Sequence, residues 1–163
     1  STAPNRSFGF VIPPQKEIDT VAAWIKEKIS EGTMPNEVGL FVRSSSQLPR
    51  AKSAVEKSKV SFCVLDGNVE TPTDHISITT MHLAKGLEFR AVCVMACDDY
   101  IIPLQDRIEM AADDAELEEI YNTERHLLYV ACTRARENLL VTSGDSPSEF
   151  LDDLRAWQQL GRR

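Results

Sequence analysis

The sequence predicts an α/β domain: a mostly parallel sheet with helices on both faces. Three observations predict it. Short apolar runs alternate along the chain with segments whose apolar residues recur at helical spacing. One run, residues 91–96, is apolar at nearly every position, as in a strand covered on both faces. Helical segments lie between successive strands, which is how parallel neighbours are joined.

The first strand is expected over residues 8–12, stopped by Pro13 and Pro14. Ile18, Val21, Ala22, Ile25 and Ile29 then mark one helical face, with Gly32 just past its end. Residues 38–42 form the second strand. Ser44, Ser45 and Ser46 offer caps for a helix over residues 47–57. Residues 62–65 are the third strand, ended by Asp66, Gly67 and Asn68. Residues 75–80 are the fourth, with Ile76 and Ile78 alternating against polar neighbours. After the fifth, at 91–96, a long helix over residues 113–132 buries Leu117, Ile120, Tyr121, Leu127, Leu128 and Ala131. The sixth strand spans residues 138–142, and a helix over 149–160 follows, capped by Ser146 or Ser148. Residues 66–74 and 98–112 read as exposed loops. Trp24 and Trp157 sit on amphipathic helices and read as packing residues.

A chain of 163 residues is one domain's worth of sequence. It begins at Ser1 without an initiator Met, which reads as a piece of a longer protein, with residues 1–7 as a tail. No apolar run is long enough for a membrane helix, and the start has no secretory pattern. Cys63, Cys93, Cys97 and Cys132 form no C-x-x-C pair and lie in apolar surroundings, as small core residues of a reducing cytosol. No metal site is expected. The net charge of −7 runs against a stand-alone nucleic-acid binder. The acid is concentrated, however, in Glu109, Asp113, Asp114, Glu116, Glu118 and Glu119, which leaves room for a basic groove elsewhere.

Two segments carry chemistry. Thr79-Thr80-Met81-His82-Leu83-Ala84-Lys85-Gly86-Leu87-Glu88-Phe89 joins two strands by a turn whose backbone N–H groups can face an anion. Thr80 and His82 follow a strand's end, where open parallel sheets present ligands. Glu88 is a carboxylate able to accept from a ribose. In Glu124-Arg125-His126-Leu127-Leu128-Tyr129-Val130-Ala131-Cys132-Thr133-Arg134-Ala135-Arg136, a helix ends in arginines. Arginine there suits the helix dipole, and its planar fork also suits phosphate oxygens.

The two segments resemble the fifth and sixth motifs of superfamily 1 helicases of the UvrD/Rep/PcrA-like group. The family pattern T-x-H-x-x-K-G-L-E-F is met from Thr80 to Phe89, and L-x-Y-V-x-x-T-R-A-R from Leu127 to Arg136. More weakly, Val38-Gly39-Leu40-Phe41-Val42-Arg43-Ser44 resembles the family's strand ending in an Arg-Ser pair, so the likeness covers roughly residues 38–142. The resemblance implies a RecA-like second motor domain spanning residues 1–163. It implies that Arg134 reaches the ATP γ-phosphate as an arginine finger. Glu88 and Gly86, with Lys85 beside them, would contact the nucleotide, and Thr80 and His82 a single strand of DNA, with RNA not excluded. Arg43 and Ser44 would touch the nucleic-acid backbone, while Tyr129 and Arg125 order the arginine helix.

The sequence contains no G-x-x-x-x-G-K-[ST] loop. The resemblance therefore implies that ATP and Mg²⁺ are held mainly by a first RecA-like domain of the same protein, and that this chain alone does not hydrolyse ATP. Many relatives carry a large helical insert where only residues 66–74 stand here, so translocation is better supported than strand separation. Two alternatives remain open. One is a non-catalytic nucleic-acid- or protein-binding module derived from a helicase domain. The other is an unrelated α/β enzyme with a nucleotide or flavin at the sheet's edge, which lacks a G-x-G-x-x-G turn.

Overall fold

The structure is a computed structural model that describes residues 5–10, 14–67, 70–144 and 146–160, with side chains described for 15–67, 70–144 and 146–156. Six strands form one sheet in which every pairing is parallel: β1 (Asn5–Phe10), β2 (Val38–Val42), β3 (Ser61–Val64), β4 (His75–Thr80), β5 (Phe89–Val94) and β6 (Ala135–Ser143). Their order is β1-β6-β5-β2-β4-β3. The expected α/β class therefore holds. β1 starts at Asn5, so residues 5–7 belong to the sheet rather than to a tail. Residues 1–4 and 11–13 lie outside the described residues.

The helices are α1 (Pro14–Ser30), α2 (Leu48–Ser58), α3 (Gln105–Glu109), α4 (Asp114–Cys132) and α5 (Phe150–Leu160). Topology assigns them to faces. From β1 to β2 and from β2 to β3 the chain steps across the sheet in one direction; from β3 through β4 and β5 to β6 it steps back. Right-handed crossovers in opposite directions lie on opposite faces. So α1 and α2 cover one face together, and α4 covers the other. Val21 and Ile25 of α1, Ala51, Ala54 and Val55 of α2, and Leu128, Ala131 and Cys132 of α4 are buried against the strands.

Local chemistry explains the boundaries. Asp113 caps α4 by accepting from the Glu116 N–H at 2.8 Å, and Glu116 returns the bond to the Ala112 N–H at 2.7 Å. The serines before α2 do not cap it: its first position is preceded by Gln47, and Pro49 lies in the first turn with its absent N–H harmless. At α5, Ser148 Oγ accepts from the Phe150 N–H at 3.2 Å. Residues 98–112 are not simply a loop, since α3 forms within them. Trp24 is buried as expected; the side chain of Trp157 lies outside the described residues. Cys93, Cys97 and Cys132 are buried thiols outside any disulfide, and burial pushes the first two well up.

A buried polar cluster ties α1 and α2 to the sheet. Arg50 donates to Glu17 at 2.6 Å and to Asp98 at 2.8 Å, while Glu17 also accepts the Ala96 N–H at 3.0 Å. Burial raises the Glu17 carboxyl above its ordinary range despite Arg50 beside it.

On the α4 face, α4 packs on β5 and β6, and the turn at Met81–Leu83 lies beside it. The Phe89 ring lies over Gly39 and meets Phe41 edge-on, with centroids 6.0 Å apart. A Cβ on Gly39 would lie 2.6 Å from the Phe89 ring. Gly39→Val should therefore destabilise the fold by about 1–3 kcal/mol through overpacking. Urea unfolding measures this, and Phe89→Leu in the same background should recover part of the loss.

Candidate functional site

β4 ends at Thr80, and the chain continues through a tight turn at Met81–Leu83. The Ala84 N–H on Met81 O at 3.2 Å closes that turn, and a second follows, with the Leu87 N–H on Ala84 O at 3.0 Å. Gly86 has φ +85°, a left-handed conformation that a side chain would strain. This connection runs back across the sheet in the same direction as α4 and lies beside its last turns. Between them lies a cavity of about 380 Å³ lined by Met81, His82, Lys85, His126, Leu127, Val130 and Arg134.

Arg134 sits where α4 gives way to β6, half-buried. Its guanidinium donates to Val130 O at 3.2 Å, to Leu87 O at 3.3 Å and to Thr133 Oγ1 at 3.2 Å. All three acceptors are neutral. Among the described residues, neither Arg134 nor the exposed Lys85 has an ion-pair partner, and no carboxylate lines the cavity. Such a cavity attracts anions, and the planar guanidinium suits the oxygens of a phosphate. Its residues fit the phosphates of a nucleotide better than the Mg²⁺ that accompanies them.

Glu88 faces elsewhere. It lines a separate cleft of about 410 Å³ with Asn36, Leu65, Glu70, Thr71, Ser77, Leu87 and Phe89. Its carboxylate lies 3.9 Å from Arg136 Nε, and Arg136 also lies 3.8 Å from Glu37. Thus His82, Lys85 and Arg134 share one cavity, Glu88 borders a second, and Gly86 lies on the turn between them.

The third segment departs from expectation. Arg43 follows β2, but only 2% of its surface is exposed. It donates from Nε and Nη2 to the two carboxylate oxygens of Glu124 at 2.8 and 2.7 Å, and its Nη1 lies 3.1 Å from His82 Nε2. A guanidinium so enclosed faces inward and braces Glu124 and His82 from within. Ser44 beside it is half-buried and makes no side-chain capping bond.

Glu124 also accepts the Leu104 N–H at 2.7 Å and Arg107 Nη1 at 3.0 Å. Burial alone would raise its carboxyl, but the hydrogen bonds from Arg43, Leu104 and Arg107 outweigh burial and hold it below the usual range. Arg125 ties α4 to α5, lying 4.8 Å over the Phe150 ring and 3.3 Å from Asp153. Sequence reasoning gave no role to Glu124, Arg107 or His126. The spacing of His126, Val130 and Arg134, each four residues apart, places them on one helical face and was the available signal for His126.

Comparison with known proteins bears on the fold and the family. The profile of the UvrD-like helicase C-terminal domain matches residues 64–146, just over half of the chain. The ATP-dependent DNA helicase PcrA of Staphylococcus epidermidis is 37% identical over 115 residues, which cover 61% of this chain and 15% of that protein. The ATP-dependent DNA helicase Rep of Buchnera aphidicola is 28% identical over 125 residues, covering 77% of this chain and 16% of that protein. The chain thus spans about 15% of the length of the curated relatives it matches. The crystal structure of the C-terminal domain of a possible DNA helicase from Lactobacillus plantarum shares the fold, with a TM-score of 0.62 at 20% identity, covering 91% of this chain and 78% of that one.

The Arg43–Glu124 pair sets two expectations. Glu124→Ala leaves Arg43 buried without its partner and should cost about 3–5 kcal/mol, whereas Arg43→Met with Glu124→Leu should be far milder. Because the Glu124 carboxyl is lowered in the folded state, its stabilisation is complete above its ordinary value of 4.5 and is lost as pH falls through the depressed value. Urea unfolding from pH 7 down to about pH 3 should show the wild type losing more stability than the double variant, which lacks this carboxylate.

Proposed function

The chain belongs to the UvrD-like helicase C-terminal domain family, and from that membership we propose that it is the second motor domain of an ATP-dependent DNA helicase or translocase. The observation that carries this reading is Arg134. It is held by neutral acceptors alone, at a cavity that Lys85 makes cationic and no carboxylate neutralises. Arg43 and Arg50, by contrast, each meet a carboxylate.

In this reading a first RecA-like motor domain of the same protein faces the cavity and supplies the Walker-type loop and the Mg²⁺ ligands. ATP bound between the two domains supplies the free energy that drives their closing and reopening. Arg134 exchanges its carbonyl partners for γ-phosphate oxygens and so senses them as an arginine finger. Lys85 adds a second positive charge. Gly86 keeps the turn free of a side chain, and Glu88 accepts from a ribose hydroxyl beyond it. Thr80 and His82 face a single strand of DNA, or of RNA, with Ser44 beside them; Arg43 braces them without touching the strand. Domain closure then moves the strand-facing residues relative to the partner domain.

The net charge of −7 favours a second reading, a binding module without catalysis. One measurement separates the two. In the protein carrying both motor domains, Arg134→Ala should lower strand-stimulated ATP turnover by about a thousandfold or more. Circular dichroism and the melting temperature should stay near wild type, because the lost bonds are to neutral, partly exposed acceptors. Unchanged turnover in the folded variant would remove the finger role and leave the binding module.

A further inference from the structure

We infer that Arg43 fixes His82 in one neutral tautomer, so that the ring presents its Nδ1–H to a phosphodiester oxygen of the bound strand. This rests on the proposed strand-facing role of His82 and adds the form in which the ring acts.

The chemistry is decided at one contact. Arg43 Nη1 lies 3.1 Å from His82 Nε2. A guanidinium has only N–H donors and keeps its charge in proteins. Nε2 must therefore accept, and an accepting Nε2 carries no proton. The ring proton sits on Nδ1, which has no hydrogen-bond partner among the described residues. His82 is exposed and lines the cavity, so this N–H is available to a ligand.

Arg43 cannot turn away. Its Nε and Nη2 are both spent on Glu124, at 2.8 and 2.7 Å, and that carboxylate is fixed by Leu104 N–H and Arg107. With a fork held at two points, the direction of Nη1 is set by the plane of the guanidinium. The carboxylate orients the arginine and the arginine orients the imidazole, as a hydrogen-bonded neighbour selects a histidine tautomer in general. Arg43 and Glu124 are thus positioning residues that act through His82.

Long-range ¹⁵N–¹H spectra of the imidazoles in the 163-residue chain test the tautomer directly. Wild-type His82 should show a protonated Nδ1 and a bare Nε2 near neutral pH. The Arg43→Met/Glu124→Leu double variant keeps the volume of the pair in apolar form and should fold, but its His82 should show mixed tautomers. Binding of oligothymidylate to the protein carrying both motor domains tests the donor. Asn places an amide N–H near the position of Nδ1, so His82→Asn should bind within about threefold of wild type. His82→Gln, whose amide extends to the position of Nε2, should bind about tenfold or more weakly, as should His82→Ala. A ring protonated at Nε2, or at both nitrogens, overturns the tautomer assignment whatever the binding result. Equal binding by the Asn and Gln variants overturns the donor role. Failure of the wild type to bind oligothymidylate, with the Nδ1–H tautomer intact, overturns the strand-facing role together with the functional reading beneath it.

Discussion

Four N–H donors converge on one buried carboxylate. Glu124 accepts from Arg43 twice, from the Leu104 backbone and from Arg107. These donors come from the end of β2, from the segment after β5 and from α3. A carboxylate in the interior is costly unless its lone pairs are met, and here they are. The consequence reaches beyond stability. Between β2 and β5 the connections leave the sheet in opposite directions, the kind of edge at which open parallel sheets bind ligands. Glu124 holds that edge closed from beneath, and the one arm of Arg43 it leaves over sets His82.

The charge of the molecule is sorted along a single helix. α4 begins among Asp113, Asp114, Glu116, Glu118 and Glu119, and its far end leads to Arg134 and Arg136. This order suits the helix dipole, with acids at the amino end and bases at the carboxyl end. It also lets a chain of net charge −7 keep a cavity without a carboxylate. Screening in physiological salt falls off over roughly 8 Å, so the acidic turns at the start of α4 weigh little on a ligand at its other end. Net charge is therefore a poor guide to what this surface binds.

Much of the fold is legible in the sequence because it rests on periodicity. The apolar runs locate β2 and β4 to the residue, and α4 to within one position, since Asp113 is a strong cap and Leu128 and Ala131 mark a clear stripe. The pattern starts β1 three residues late, because Asn5, Arg6 and Ser7 are polar and show no apolar run. It misses α3, as a five-residue helix is too short to show a period. At the site, the pattern of their neighbours picks out Arg134, Lys85 and His82, and they do share a cavity. The inward orientation of Arg43 is hidden from the sequence for a physical reason. Pattern and spacing along one segment cannot reveal a partner 81 positions away, and it is Glu124 that decides whether Arg43 faces inward.

The connections on the α4 face explain why the cavity exists at all. Parallel strands are usually joined by helices. β4 and β5 are joined by the turns of residues 81–88 instead, which leave a gap beside α4 that a helix would have filled. Met81 and Leu127 line that gap, and Arg134 lies across it. Arg134 grips both walls: Nε holds Val130 O on the helix, and Nη1 holds Leu87 O on the turn. In the proposed motor, a phosphate that draws the guanidinium away must compete with both carbonyls. The position of the turn, and of His82 on it, is then linked to occupancy of the phosphate site through one side chain.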